Sequence, residues 1–497
     1  MQQFFRYFWR HKLPRKDVII PLLKRPLSWQ GVILYALLIG LTATIYIGII
    51  FLNSKTLVTV PARGGTVVEG MIGAPRLVNP VLASTETDVA LTHLLFSGLM
   101  KETNQGTLEP DLASHVETST DGRTYTFTLR EDLRWSDGKP LTAADIVFTY
   151  SKRALFEPNS YWQQVSVTSP DSTTVVFALP APRSDFLALA TLGIIPMHIW
   201  TEVADDAFES DLHNLAPVGS GPFRFVRLVE TNGIAQEAVL KRNRRYAGNK
   251  SYLDRYVVRF FANQEDLVRA LDSGDIMLTG SATPETAHQA EGSYLIDTIP
   301  STTTVGLFES KTATLFAPAT LAILNQSIDK QAILATIEYG YGTLLDSARL
   351  SPTESLAALH SLGYSTRADG TLEKNSIPVA FAVAVENDPA TLHAAQLFAS
   401  QLQELGITAV LKAFDQGRFQ DIIQHTEYQF FFGKVSHAED RTSYRSIIPL
   451  YTSSYPLIHD ARLHIPIDAT LARSIDRYRE SNEWYLRTNN VWKIFAN

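Results

Sequence analysis

The chain has 497 residues, of which 45% are hydrophobic and 19% charged, so it is long and apolar enough to bury more than one core. Its net charge of −7 is uneven: residues 1–30 carry Arg6, Arg10, Lys12, Arg15, Lys16, Lys24 and Arg25 against Asp17, so the rest is more acidic than the total. An acidic body is unsuited to displacing counterions from phosphate, so no nucleic-acid partner is expected, and the absence of cysteine excludes disulfides, thiol nucleophiles and Cys-bound metals.

In chain order, the basic tail 1–30 is followed by Gly31–Leu52, an uncharged run long enough to cross a bilayer as a helix. The cations all precede it, which predicts a single-pass signal anchor with a cytoplasmic N-terminus and an extracytoplasmic body. Asn53-Ser54-Lys55 is a poor cleavage context, and 53–64 reads as a linker. Beyond it, Thr124–Leu129 alternates as a half-buried strand, and Thr142 is placed to cap a helix through Ile146, Phe148 and Tyr150. Val165–Thr168 and Thr173–Leu179 flank a Ser-Pro-Asp-Ser turn, while Phe223–Val229 and Gln236–Lys241 flank Asn232-Gly233, a strong hairpin signal. Tyr256–Phe261, Thr303–Phe308, Val379–Val385, Ile407–Phe414 and Tyr428–Phe432 are further strands. Asn263 opens a helix carrying Leu267 and Leu271. Asp388 and Pro389 open another, with Leu392, Ala395, Phe398, Leu402 and Leu405 as its apolar stripe and Gly406 at its end. Strands alternating with capped helices define an α/β fold with mixed sheet. The aromatic-rich segment 480–497 is expected to dock on the body.

Several segments, in order, resemble the family-5 extracellular solute-binding proteins, the dipeptide, oligopeptide and nickel-binding receptors of ABC importers. They include Gly64–Val68, Arg76–Pro80, Leu94–Leu99 and the long block Asp121–Phe148 with Trp135-Ser136-Asp137-Gly138 at its centre. Val218–Phe223, Arg242-Asn243 with Tyr246, Leu271–Ile276 and Ile328–Ile333 continue the series. The resemblance implies a two-lobed periplasmic-binding-protein-like fold with an extra inserted domain. Domain I would comprise 65–95, 212–300 and 447–497, domain II 96–211 and domain III 301–446. It also implies a peptide or other small-solute ligand enclosed by lobe closure, delivery to ABC permease subunits, a monomer, no cofactor and no catalysis. Nothing in the residues argues for an enzyme: Ser220 lacks a nucleophile-elbow context, and His459 and His464 are spaced poorly for a helical metal pair.

Two stretches are short against the family pattern: the connection after Ala332, and Ser436–Ser446, where relatives carry a "DP" segment and two helices. Domain III is therefore expected to be truncated, which leaves open a membrane-anchored sensor or interaction ectodomain that has lost transport. The candidate ligand residues follow from position. Glu439 and Asp440 stand nearest the missing acidic segment, and Tyr161 and Trp162 lie where relatives place aromatics near the cleft. Arg418 and Phe419 follow a strand's carboxyl end, and Asn79 lies in the loop after the first strand. Each has an equally plain structural reading as solvated loop, core aromatic or surface arginine.

Overall fold

The computed structural model describes residues 29–157, 161–310, 315–425, 427–436, 444–466 and 473–492. The chain divides into two compact units, Met1–Val60 with Thr488–Asn497, and Pro61–Arg487. The first contains helix α1 (Trp29–Thr56). Strand β1 (Leu57–Ala62) pairs with the last strand of the chain, Arg487–Trp492. Segment 53–64, expected as a linker, is thus helix to Thr56 and strand from Leu57 to Ala62. Side chains of α1 from Val32 to Ile47 are exposed, among them Leu34, Leu37, Ile39 and Tyr46. Among the described residues no helix is long and apolar enough to cross a membrane.

The second unit is built on β2 (Thr66–Ile72), α2 (Glu86–Leu95), β3 (Ala113–Thr118), β4 (Thr124–Leu129), α3 (Ala143–Phe156), β5 (Ser166–Thr168) and β6 (Thr174–Ala178). There follow β7 (Phe223–Thr231), β8 (Ile234–Arg242), β9 (Arg255–Phe261), α4 (Gln264–Asp272), β10 (Leu278–Thr279), α5 (Pro284–Ala290) and the long β11 (Leu295–Ser310). Then come α6 (Lys330–Ile337), β12 (Ala380–Glu386), α7 (Pro389–Glu404), β13 (Thr408–Phe414), α8 (Gln416–His425), β14 (Phe430–Ser436) and a second long strand, β15 (Tyr444–His459). The terminal strand Arg487–Trp492 is β16.

Local chemistry accounts for many boundaries. Thr142 and Asp145 form a capping box at α3, Asn263 caps α4 by accepting from the Asp266 N–H, and Asp388 caps α7 with Pro389 in its first turn. Asn232 and Gly233 take the left-handed conformation, which the tight β7–β8 turn requires.

Ten strands run in the order β13-β12-β14-β11-β15-β10-β2-β9-β8-β7, with the short strand Gly342–Leu344 attached to β15 to make eleven. The β2–β9 and β12–β13 pairs are parallel, whereas β11 and β15 are antiparallel along 16 residues each. These two strands tie the sheet together. Their first shared half, Leu295–Pro300 against Ser454–His459, lies beside β10, and their second, from Thr304 against Thr452, lies beside β14. The register shifts between Pro300 and Thr304, where the strands pass from one half to the other.

Buried apolar side chains separate accordingly. One core gathers Val67, Leu91, Tyr256, Val258, Leu457 and Trp484, the last a docked residue of the aromatic C-terminal segment. A second gathers Phe127, Trp135, Ile146, Tyr150 and Phe177 around the four-stranded sheet β3-β4-β6-β5. A third gathers Leu307, Ile333, Phe381, Phe398, Phe432, Leu450 and Tyr451. Removing each such side chain from water is worth roughly 1.5–3 kcal/mol, so each group is a core in its own right.

Candidate functional site

The first and third cores meet over the β11–β15 crossing, where a cleft of about 730 Å³ opens. One wall belongs to the first half of the sheet. It carries Glu86 on the first turn of α2, Gln264 at the start of α4, Gly280–Ser281 after β10, and Thr283–Glu285 opening α5. The other wall carries Thr336–Tyr339 at the end of α6, Asp388–Ala390 and His393 at the start of α7, and Lys434 on β14. Ser301, Thr303 and Ser453–Pro456, from the crossing itself, form the floor. A second cavity of about 800 Å³, among Arg63, Asp297, His459 and Tyr485, touches only the first half of the sheet and the segments packed on it.

Each wall is held by hydrogen bonds its sequence makes necessary. On the far wall, Asp388 accepts from the Thr391 N–H at 3.0 Å and the Thr391 hydroxyl at 2.7 Å, as an N-cap should. Its carboxylate also takes the Lys434 ammonium at 3.1 Å. Burial pushes the Asp388 carboxyl up, but Thr391 and Lys434 outweigh it and hold the group below the ordinary range. Glu338 caps the C-terminus of α6 and is only 6% exposed. Desolvation pushes its carboxyl up to about 6, against the opposing pull of Lys434 and of a hydrogen bond from Tyr451. Among the described residues no cation forms an ion pair with Glu338.

On the near wall, Ser474 donates to Glu86 at 2.9 Å, and the wholly buried Arg477 lies 3.7 Å from the same carboxylate. Arg477 is itself paired to buried Glu69 on β2 at 3.0 Å, and Tyr256 and Tyr478 each donate to Glu69 at 2.6 Å. Gln264 donates to the Ser281 carbonyl at 2.7 Å. The remaining polar atoms, Gln264 Oε1, Ser281 Oγ and Ser453 Oγ, are buried without a hydrogen-bond partner among the described residues. Buried polar atoms ordinarily find partners, so three orphans lining one cleft suit it to a polar ligand. Beside the cleft the walls touch: the His288 ring of α5 stacks on Tyr339 at 5.0 Å, and Tyr341 donates to Glu291.

The residues singled out from sequence lie elsewhere. Asn79 is buried, donating to Asn214 at 3.2 Å and accepting from the Val81 N–H at 3.0 Å. Trp162 packs in the second core 4.6 Å from Tyr150, and the Arg183 guanidinium covers Tyr161 at 4.5 Å. On α8, Arg418 reaches Asp421 and Glu427, while Phe419 is 2% exposed against Phe431. None of these five lines the cleft, and the structure does not bring them together. Glu439 and Asp440 lie outside the described residues. Sequence reasoning did find Asp388, but as a helix cap; its place just past the carboxyl end of β12 was the signal that it faces a crevice. Glu338, Lys434 and Gln264 carry no comparable local mark.

The two halves of the sheet share a pair of crossing strands, with a polar cleft over the crossing. A match to the bacterial extracellular solute-binding proteins, family 5, covers residues 107–454, and the chain belongs to that family. Among curated relatives, it is 30% identical over 224 residues to the oligopeptide-binding protein AppA of Bacillus subtilis, covering 44% of this chain and 40% of that protein. Among solved structures, it superposes on the ABC transporter substrate-binding protein CtaP of Listeria monocytogenes with a TM-score of 0.68 and 22% identity, covering 85% of this chain and 99% of that one. The nonapeptide complex of Bacillus subtilis AppA gives 0.59 and 19%, covering 86% of this chain and 100% of that one. These likenesses establish the fold.

Proposed function

We propose that this chain is the extracytoplasmic substrate-binding component of an ABC importer, enclosing peptides or similar small solutes between its lobes and passing them to a membrane permease. The observation that carries this reading is the cleft at the β11–β15 crossing, with its three unpartnered polar atoms. Closure about two shared strands is a hinge motion, and a ligand drives it only by binding the closed form better than the open one. Three domains, at 65–95 with 212–300 and 447–497, at 96–211, and at 301–446, go with this reading; the three cores follow this division in outline, although Ile195, Trp200 and Phe208 pack into the first core and Ile448, Leu450 and Tyr451 into the third. The uncharged run Gly31–Leu52, preceded by a basic tail, supports a single-pass anchor with the body outside.

One observation favours the second reading, an anchored interaction ectodomain. Strands β14 and β15 flank β11 on opposite sides and run parallel to each other, yet only residues 437–443 join them. Such crossovers usually need a dozen residues or more, so this part of domain III is pared down. Native mass spectrometry of the full chain, extracted from cells in mild detergent, separates the two readings. Importer function predicts co-purified masses in the small-peptide range. A folded chain carrying none, even after addition of a peptide mixture, would favour the interaction reading.

A further inference from the structure

We infer that the cleft selects ligands bearing a positive side chain, docked on Glu338, over neutral or acidic ones of equal length. This rests on the reading of the cleft as the ligand-enclosing site and names the class of ligand it takes. Four carboxylates line the cleft, Glu86, Glu285, Glu338 and Asp388, against one ammonium, Lys434. Their partners decide which charge the cleft can still accept.

Its capacity for anions is already used. The N-terminus of α7 and Lys434 are the two features that would attract a carboxylate, and Asp388 occupies both through the Thr391 N–H and the Lys434 ammonium. Arg477, behind Glu86, is held by Glu69. An incoming carboxylate would have to displace a resident one and would meet the like charges of Glu86 and Glu285.

Its capacity for cations is open. Glu338 is nearly buried, accepts from the Tyr451 hydroxyl, and forms no ion pair among the described residues. It closes α6, whose carbonyl end adds negative potential where Thr336 and Ile337 line the cleft. Gln264 Oε1, an acceptor only, is unpartnered on the opposite wall. An ammonium or guanidinium is rich in donors and lacks acceptors, which matches this arrangement.

The test is isothermal titration of the full chain in detergent, at neutral pH and low salt, with Ala-Lys-Ala, Ala-Ala-Ala and Ala-Glu-Ala. All three carry the same terminal charges, so differences report the side chain. We expect Ala-Lys-Ala to bind roughly tenfold more tightly than Ala-Ala-Ala, with Ala-Glu-Ala weakest, and the spread to shrink near 1 M salt. In E338Q the three affinities should converge while Ala-Ala-Ala still binds. Equal affinities or the reverse order in the unaltered chain would overturn the charge selectivity and leave the binding reading standing. A lysine preference that survives E338Q would overturn the assignment to Glu338. A folded chain that binds none of the three would overturn both this inference and the peptide-binding reading.

Discussion

Glu338 makes the fold less stable than it could be, and the sign of that effect is measurable. Desolvation raises its carboxyl from 4.5 to about 6, so between those values the folded chain holds more protons than the unfolded chain. Stability from this group is therefore present below pH 4.5, falls as pH rises toward 6, and is absent above it. The difference corresponds to about 2 kcal/mol, small against the whole fold but large for one side chain. E338Q removes the penalty. Denaturant melts should show E338Q about 1–2 kcal/mol more stable than the parent at pH 7, and little changed at pH 4. A buried acid that weakens the fold and faces a cleft is the pattern expected of a group kept for binding. Neither its burial nor its lack of a cationic partner is written in its neighbours Ile337 and Tyr339, which is why the residue passed unnoticed in the sequence.

Gly219 shows an element whose existence was legible while its reason was not. The Val218–Phe223 segment stood out by its resemblance to the family, but the constraint comes from α2: a Cβ on Gly219 would lie 1.9 Å from the Leu95 carbonyl oxygen. Gly221, in the same turn, donates its N–H to that oxygen at 2.8 Å. Because the obstacle is backbone, it cannot turn aside, and G219A should cost about 3 kcal/mol or more by overpacking. G417A, where the nearest atom is a side-chain oxygen at 3.6 Å, should be neutral or slightly stabilising, as alanine is in a helix. Chemical denaturation of the two variants checks the contrast. The long strands were the element most poorly read. Of these two strands, only Thr303–Phe308 of β11 carried a strand pattern. Pro300, Pro449 and Pro456 work against such a pattern, since proline cannot donate to a ladder. They are tolerated partly because the pairing itself slips, with register shifts between Pro300 and Thr304 and between Val305 and Gly306. Short strands and capped helices, governed by neighbours within a few residues, lay close to their expected places.

At the scale of the molecule, alternating strands and helices conveyed the α/β class, and ordered motifs conveyed the family. The cleft was not legible, because its walls join residues as distant in sequence as Glu86, Glu338 and Ser474. The uncharged run within α1 makes a further prediction. Full-length chain should remain in the membrane pellet after high-salt washing, which strips charge-held proteins, whereas a chain beginning at Pro61 should stay in the supernatant. Release of the full chain by salt alone would refute the anchor.

The two strands that cross the floor of the cleft also set how the body comes apart. Both halves of the sheet are built on the same two continuous strands, so neither owns a separate hydrogen-bond ladder. Unravelling one end of β11 strips the partners from the facing stretch of β15, at the crossing where the two halves of the sheet join. The crossing on which the two halves of the sheet meet is thus also the seam that obliges them to stand or fall together.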